Sequence, residues 1–215
     1  MKLLLGIPIF DTVQGEVYES HLNLMNEIKD NGFDVTVSTP LGICPYDRAR
    51  NAVMEHCNDD IDLLLFVDGD ILLPKKGFLR LLEAMRDTKA QAVSGHYYRR
   101  GYPYTCVWSQ VLKNNNFSVD VDSGVHEIHR SGLGCCLIDA KWVRDNLASP
   151  YFKYDSAIGG GEDTYFFDLI REAGGKVVGH ADVRCGHVGT RFVVSDKTVN
   201  WVRENELKHQ LRGEE

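Results

Sequence analysis

The hydrophobic positions fall into short apolar runs separated by helical stripes, in a regular order. Leu3 to Phe10 is an apolar run broken by Pro8, the pattern of a buried first strand. Val17 to Lys29 reads as a helix, with Val17, Leu22, Leu24, Met25 and Ile28 in a stripe and Asn31-Gly32 as its stop. Phe33 to Val37 alternates as a second strand. Asp47 is placed to cap a helix reaching about Cys57, with Ala49, Ala52, Val53 and His56 on one side. Arg48, Asn51 and Glu55 line the adjacent face of that helix. Ile61 to Val67 is the most apolar strand of the chain, Phe78 to Met85 a helix, and Ala90 to Ser94 a further strand.

This β-α-β-α-β-α-β alternation up to Ser94 predicts an α/β protein with a doubly wound, mainly parallel sheet. Beyond it the pattern changes. Tyr97 to Arg130, rich in aromatics, Asn and alternating residues, predicts hairpins. Gly132 to Asp139 reads as a strand and Glu162 to Ala173 as a helix closed by Gly174-Gly175. Lys176 to Gly179 and Asp182 to His187 read as short strands, and Asp196 to Leu211 as a terminal helix. With no internal repeat or linker, one domain spanning 1–215 and a smaller mixed C-terminal half are expected.

The 215 residues, 43% hydrophobic and 26% charged, have the balance of a globular protein. Twenty-four Lys and Arg against 31 Asp and Glu leave a net charge of −7, which argues against sequence-independent nucleic-acid binding. The six cysteines contain no CxxC pair, so a zinc module is not expected, and free thiols in a reducing compartment are. The first ten residues lack a small-residue cleavage site, and no apolar stretch approaches the ~20 residues of a membrane helix. A soluble, cytoplasmic protein is the expectation, with its oligomeric state open.

Three constellations carry candidate chemistry. Asp68-Gly69-Asp70 follows the most apolar strand directly, where ligands of open α/β sheets bind. Two carboxylates separated by a glycine are able to converge on one hard cation. Gly159-Gly160-Gly161-Glu162-Asp163 opens the helix beginning near Thr164 and combines close backbone approach with acids at a helix N-terminus. His187 lies between glycines at the end of a short strand, with His180 as its rival for a metal role.

In order and spacing these features resemble the GT-A glycosyltransferases, most closely the family-2-like group that uses nucleotide sugars. The residues carrying the resemblance are Leu63 to Asp70, Gly160 to Phe166 and Cys185-Gly186-His187, with Arg48-Ala49-Arg50-Asn51 upstream. The resemblance spans about residues 3 to 190 and implies a division of labour. The stretch to about residue 95 would bind the nucleotide, about 96–190 would bind the acceptor, and 191–215 would form a C-terminal loop and helix. Pro8 and Asp11 would face the base, and Arg48 and Asn51 would lie near the nucleotide or its diphosphate. Asp68, Gly69 and Asp70 would bind the donor, with Asp68, Asp70 and His187 holding Mn²⁺ or Mg²⁺. Gly160, Gly161 and Glu162 would contact the acceptor, and Asp163 would take its hydroxyl proton in an inverting reaction. The donor would be a UDP- or GDP-sugar and the acceptor an unidentified hydroxyl compound. Arg191, Lys197 and Arg203 are further cations that could close over a diphosphate. Two other readings compete: a haloacid-dehalogenase-like phosphatase with Asp68 as phosphoryl acceptor, and a non-catalytic nucleotide- or sugar-binding module. Sugar-1-phosphate nucleotidyltransferases are disfavoured, because Gly6 to Asp11 does not resemble their Gly-rich, Arg-containing loop.

Overall fold

A computed structural model describes residues 1–112, 115–154, 160–189, 193–197, 199–200 and 202–204. Its centre is a seven-stranded sheet in the order β2-β1-β3-β9-β5-β10-β8. These strands are β1 (Lys2–Gly6), β2 (Asp34–Ser38), β3 (Leu63–Val67), β5 (Ala92–His96), β8 (Val125–Glu127), β9 (Cys135–Asp139) and β10 (Val177–Arg184). β2, β1 and β3 are mutually parallel, and β10 is parallel to β5. β9 runs antiparallel between β3 and β5, so those two strands share one direction. Every residue of β3 and β5 is buried, as expected for strands covered on both faces.

The helices are α1 (Gly15–Asp30), α2 (Tyr46–Met54), α3 (Gly77–Thr88), α4 (Ala140–Asn146) and α5 (Glu162–Glu172). α1 buries Val17, Leu24 and Ile28, together with His21. α3 buries Phe78, Leu81, Leu82 and Met85 and packs on β5 and β10. Its free N-terminal amides are satisfied by α1: the Glu27 carboxylate accepts from Lys76 N (2.9 Å) and Leu79 N (3.2 Å). A negative charge at a helix N-terminus is favourable as well as hydrogen-bonded.

The expected α/β architecture holds, and the differences have local causes. The strand expected at Gly132 to Asp139 forms as β9 but is reversed relative to its neighbours, which ends the simple parallel winding. α4 has no counterpart in the sequence pattern: it is one short element that buries only Ala140 and Val143, too little for a periodic stripe, and Asp139 caps it through Trp142 N (2.9 Å). Asp47 is not the N-cap of α2. The helix begins at Tyr46 after Pro45, and the Asp47 carboxylate accepts from Arg48 N in the first turn. The expected break between Gly179 and Asp182 is a shift in register within continuous β10. Two small sheets complete the fold: the hairpin of β6 (Ser109–Leu112) with β7 (Asn115–Ser118), and β12 (Val193–Val194), β11 (Gly186–Val188) and β4 (Ile71–Leu72). Of the expected terminal helix, residues 196, 197, 199, 200 and 202–204 are helical; the rest, with Trp201, lies outside the described residues. All six cysteines are free, five of them buried and Cys44 exposed. Among the described residues no helix is long and apolar enough to cross a membrane.

α2 approaches the sheet closely because Gly6 has no side chain. A Cβ there would stand 2.7 Å from Val53 Cγ1 and 3.1 Å from the Phe66 ring. Overpacking of this kind costs about 1–3 kcal/mol, so Gly6→Ala should lower the urea midpoint accordingly while leaving far-UV circular dichroism unchanged.

Candidate functional site

The parallel strands β1, β3, β5 and β10 all end on one edge of the sheet, and the candidate residues gather there. Asp68 N donates to Gly134 O (3.0 Å) and Ile71 N to Asp68 O (3.1 Å), so β3 leaves the sheet through a tight turn into β4. Gly69 in this turn does not take a left-handed conformation. Its small size serves close approach instead: a Cβ would lie 3.3 Å from the Pro8 carbonyl oxygen and 3.4 Å from Ile9 Cγ1. The end of β1 and the acidic turn are therefore adjacent, with Pro8 buried and Asp11 exposed.

Arg50 binds the two halves of the site together. It is 3% exposed, and its guanidinium lies 5.1 Å from the centre of the Phe66 ring. Nη2 is 3.0 Å from Asp68 Oδ1 and donates to Oδ2 at 3.1 Å, while Nε donates to Glu162 Oε1 at 3.2 Å. The Asp68 Oδ1 contact lacks hydrogen-bond geometry, and this oxygen, like Arg50 Nη1, is buried without a hydrogen-bond partner among the described residues. Burial works against the guanidinium charge, but Asp68 and Glu162 more than compensate and raise the Arg50 pKa. The sequence pattern puts Ala49, Ala52, Val53 and His56 on one side of this helix; the structure buries Ala49, Arg50, Val53 and Met54. The i, i+3, i+4 spacing of Arg50 with Val53 and Met54 was the available signal. Arg48 is exposed. Asn51 is occupied by the chain itself: its amide donates to Phe152 O (2.7 Å) and accepts from Phe152 N (3.3 Å).

A backbone ladder brings His187 to Asp70. β11 pairs antiparallel with β4, placing His187 opposite Ile71, and Val188 N donates to Asp70 O at 2.7 Å. His187 Nδ1 lies 2.8 Å from Tyr98 O. A carbonyl only accepts, so Nδ1 carries the proton and Nε2 faces Asp70 Oδ1 at 3.5 Å. The second Asp70 oxygen, Oδ2, is 3.0 Å from Arg100 Nη1. Burial alone would raise the Asp70 pKa, but His187 and Arg100 together pull it below the usual carboxylate value. His180 stands elsewhere, within β10 and 3.7 Å from Asp182.

The third group sits at the start of α5, with Gly161 as N-cap and Glu162 and Asp163 in the first turn. A Cβ on Gly160 would meet Thr164 at 2.5 Å, so this turn requires glycine; Gly159 lies outside the described residues. Burial raises the Asp163 pKa against the Thr164 amide (2.7 Å) and the charges of Arg50 and Arg99. Burial likewise raises Glu162, outweighing Arg50. Tyr97 closes the space between the groups. Its hydroxyl accepts from Gly134 N (2.8 Å), its ring meets His187 edge-on, and burial with the charges of Asp68 and Asp163 keeps its phenol neutral. From sequence the aromatics of Tyr97 to Tyr104 fit stacking on a sugar face and hairpin packing equally well, so neither Tyr97 nor Arg100 stands among the candidate site residues.

A second cluster has metal-ligand composition. His96, Cys106 and Asp120 each place one ligand atom within 4.8 Å of the others. Asp120 already accepts from His96 (2.9 Å) and Arg203 (2.9 Å), and Arg184 lies 2.9 Å from the His96 ring. Burial pushes the Cys106 thiol up to about 12. The guanidinium groups of Arg184 and Arg203 already neutralise charge at this cluster and oppose a cation there. Arg203 is thereby engaged away from Asp70, while Arg191 lies outside the described residues.

No protein-family model matches the chain. A stretch of 139 residues is 31% identical to the succinoglycan biosynthesis protein ExoM of Rhizobium meliloti (strain 1021), covering 62% of this chain and 42% of that protein. The chain thus spans less than half the length of this relative. Among solved structures, A197 from STIV matches with a TM-score of 0.64 at 20% identity, covering 92% of both chains. GalNAc-T7, solved with UDP, GalNAc and Mn²⁺, matches with a TM-score of 0.51 at 10% identity, covering 87% of this chain and 44% of that one. Together with the seven-stranded sheet and its helical layers, these likenesses show that the chain has the GT-A fold found in glycosyltransferases.

Proposed function

We propose that the protein transfers a sugar from a UDP- or GDP-sugar to an acceptor hydroxyl, assisted by Mn²⁺ or Mg²⁺, with inversion at the anomeric carbon. The observation that carries this reading is the meeting of two carboxylate groups on one edge of a GT-A fold. One is the Asp68-Gly69-Asp70 turn with the His187 ring against it; the other is Glu162-Asp163 at the start of α5. The succinoglycan role named for ExoM and the UDP and Mn²⁺ bound by GalNAc-T7 support it.

The donor set suits a divalent cation. Asp70, Asp68 Oδ1, which accepts no hydrogen bond among the described residues, and His187 Nε2, turned toward Asp70 by the bond of Nδ1 to Tyr98 O, offer oxygen and imidazole ligands. Asp70 and His187 would hold the ion, with Asp68 beside it; when bound, it neutralises charge on the diphosphate leaving group. Pro8, Asp11 and Gly69 would border the nucleotide, with Arg48 at the rim and Asn51 acting through the Phe152 backbone. Gly160 and Gly161 would let an acceptor approach the start of α5, where Glu162 would orient it. The acceptor oxygen attacks the anomeric carbon as its bond to the β-phosphate breaks. The diphosphate leaves with the electron pair, and the hydroxyl proton passes to Asp163. A carboxylate whose pKa burial has raised is a stronger base for that proton.

Calorimetric titration with UDP and GDP should give binding that depends on Mn²⁺ and is lost in Asp70→Ala. Cation-independent binding, or none, would overturn the metal-assisted reading. Asp163→Asn should lower transfer about 10²–10⁴-fold while leaving UDP affinity in Mn²⁺ unchanged, and a collapse of that affinity would make Asp163 a binding residue. The native state holds the Asp163 proton more tightly than the unfolded chain does. Stability is therefore lost as pH rises through the raised folded pKa. At pH 7 Asp163→Asn should melt at a higher temperature than the wild type. The acid limb of kcat/KM should lie above the ordinary aspartate range.

A further inference from the structure

The two acids of the turn are each matched by an arginine, and the two arginines differ in how firmly they are held. Arg50, beside Asp68, has a side chain 4% exposed and is anchored by Glu162 and the Phe66 ring. Arg100, beside Asp70, has a side chain 49% exposed, and Asp70 is its only ion-pair partner among the described residues. Its backbone is nevertheless fixed. Tyr98 bridges to Cys106, Arg99 N donates to Thr105 O (3.0 Å), and Tyr104 N donates to Gly101 O (2.8 Å), so Arg100 projects from a closed loop. The same loop supplies the Tyr98 carbonyl that orients His187.

We propose that Arg100 is an exchangeable occupant of the Asp70 carboxylate: it yields Oδ2 to a divalent cation and turns to the diphosphate of the donor. This deepens the reading of the site as a metal-assisted donor site and rests on it. Two positive groups cannot share Oδ2 at contact distance without mutual repulsion. Arg50 is buried and held at both ends, so the half-exposed Arg100 is the group that moves. A displaced guanidinium then stands beside a bound diphosphate, for which its planar donors are well suited. Arg100 therefore opposes the bare ion and favours the nucleotide, and its removal has opposite effects on the two.

The test measures Mn²⁺ binding without nucleotide, from the free-ion electron paramagnetic resonance signal, and UDP affinity by calorimetry at saturating Mn²⁺. Wild type, Arg100→Ala, Arg100→Lys and Asp70→Ala are compared at fixed ionic strength. Arg100→Ala should bind Mn²⁺ up to about fivefold more tightly, the scale of a lost half-exposed ion pair. It should bind UDP about tenfold more weakly, the scale of a lost charge-assisted contact. Arg100→Lys, which keeps the charge, should fall between wild type and Arg100→Ala on both. Unchanged or weaker Mn²⁺ binding in Arg100→Ala overturns the exchange, and unchanged UDP affinity overturns the move to the diphosphate. In either case Mn²⁺ binding that is lost only in Asp70→Ala leaves the metal-assisted reading standing. No Mn²⁺-dependent UDP binding in the wild type overturns both.

Discussion

The site is organised around one buried cation. Arg50 joins α2 to the end of β3 through Asp68 and to the start of α5 through Glu162, elements separated by up to 112 residues in sequence. Burying a guanidinium is costly, and it is sustained only where the charge is paired and the remaining surface is packed. Two carboxylates and the face of Phe66 supply both conditions. Without the cation, Asp68 and Glu162 would be left as half-buried like charges with no counter-charge between them. The arrangement that brings a donor-side acid next to an acceptor-side acid therefore depends on Arg50. The adjacent Asn51 extends the same hub, since its amide fixes the Phe152 backbone, and Phe152 packs on Phe66 and Phe166.

Around that hub the carboxylates are tuned in opposite directions by their surroundings. Asp70 is half-buried but faces His187 and Arg100, and its pKa falls. Asp163 and Glu162 are half-buried with less compensation, and theirs rise. A group that stays ionised suits a cation, and a group with a raised pKa suits proton transfer. The difference arises from which loops reach which acid. The short pairing of β11 with β4 delivers an imidazole to Asp70, whereas among the described residues Asp163 receives the amide and hydroxyl of its neighbour Thr164 and the more distant charges of Arg50 and Arg99.

The parts of this arrangement legible in the sequence are those written in local pattern. The all-apolar Leu63 to Val67 followed by Asp68-Gly69-Asp70 announced both a buried strand and a charged strand end. Gly160-Gly161-Glu162-Asp163 announced a helix start. Contacts across the fold were not legible. The spacing of Arg50 with Val53 and Met54 carries only its burial, and its partners stay hidden because an ion pair spanning more than a hundred residues leaves no periodicity. Asn51 has the chemistry of a ligand-binding residue, yet its hydrogen bonds are taken by the main chain. The reversal of β9 was hidden for the same reason: a strand's burial is visible in its composition, but its direction is set by neighbours elsewhere in the chain.

The two histidines that sequence could not separate differ in a way that only topology supplies. Each directly follows a glycine, Gly179 or Gly186. His180 lies within the main sheet, where β5 and β8 flank its strand and its ring is left to Asp182. His187 comes after the chain has left that sheet at Cys185, whose amide still bonds to His96 O. Seven residues beyond His180, the chain is long enough to pair with β4, the strand that the acidic turn itself begins. The carboxylate turn thus specifies its own nitrogen partner: by continuing as β4, it provides the edge on which the histidine strand is laid down.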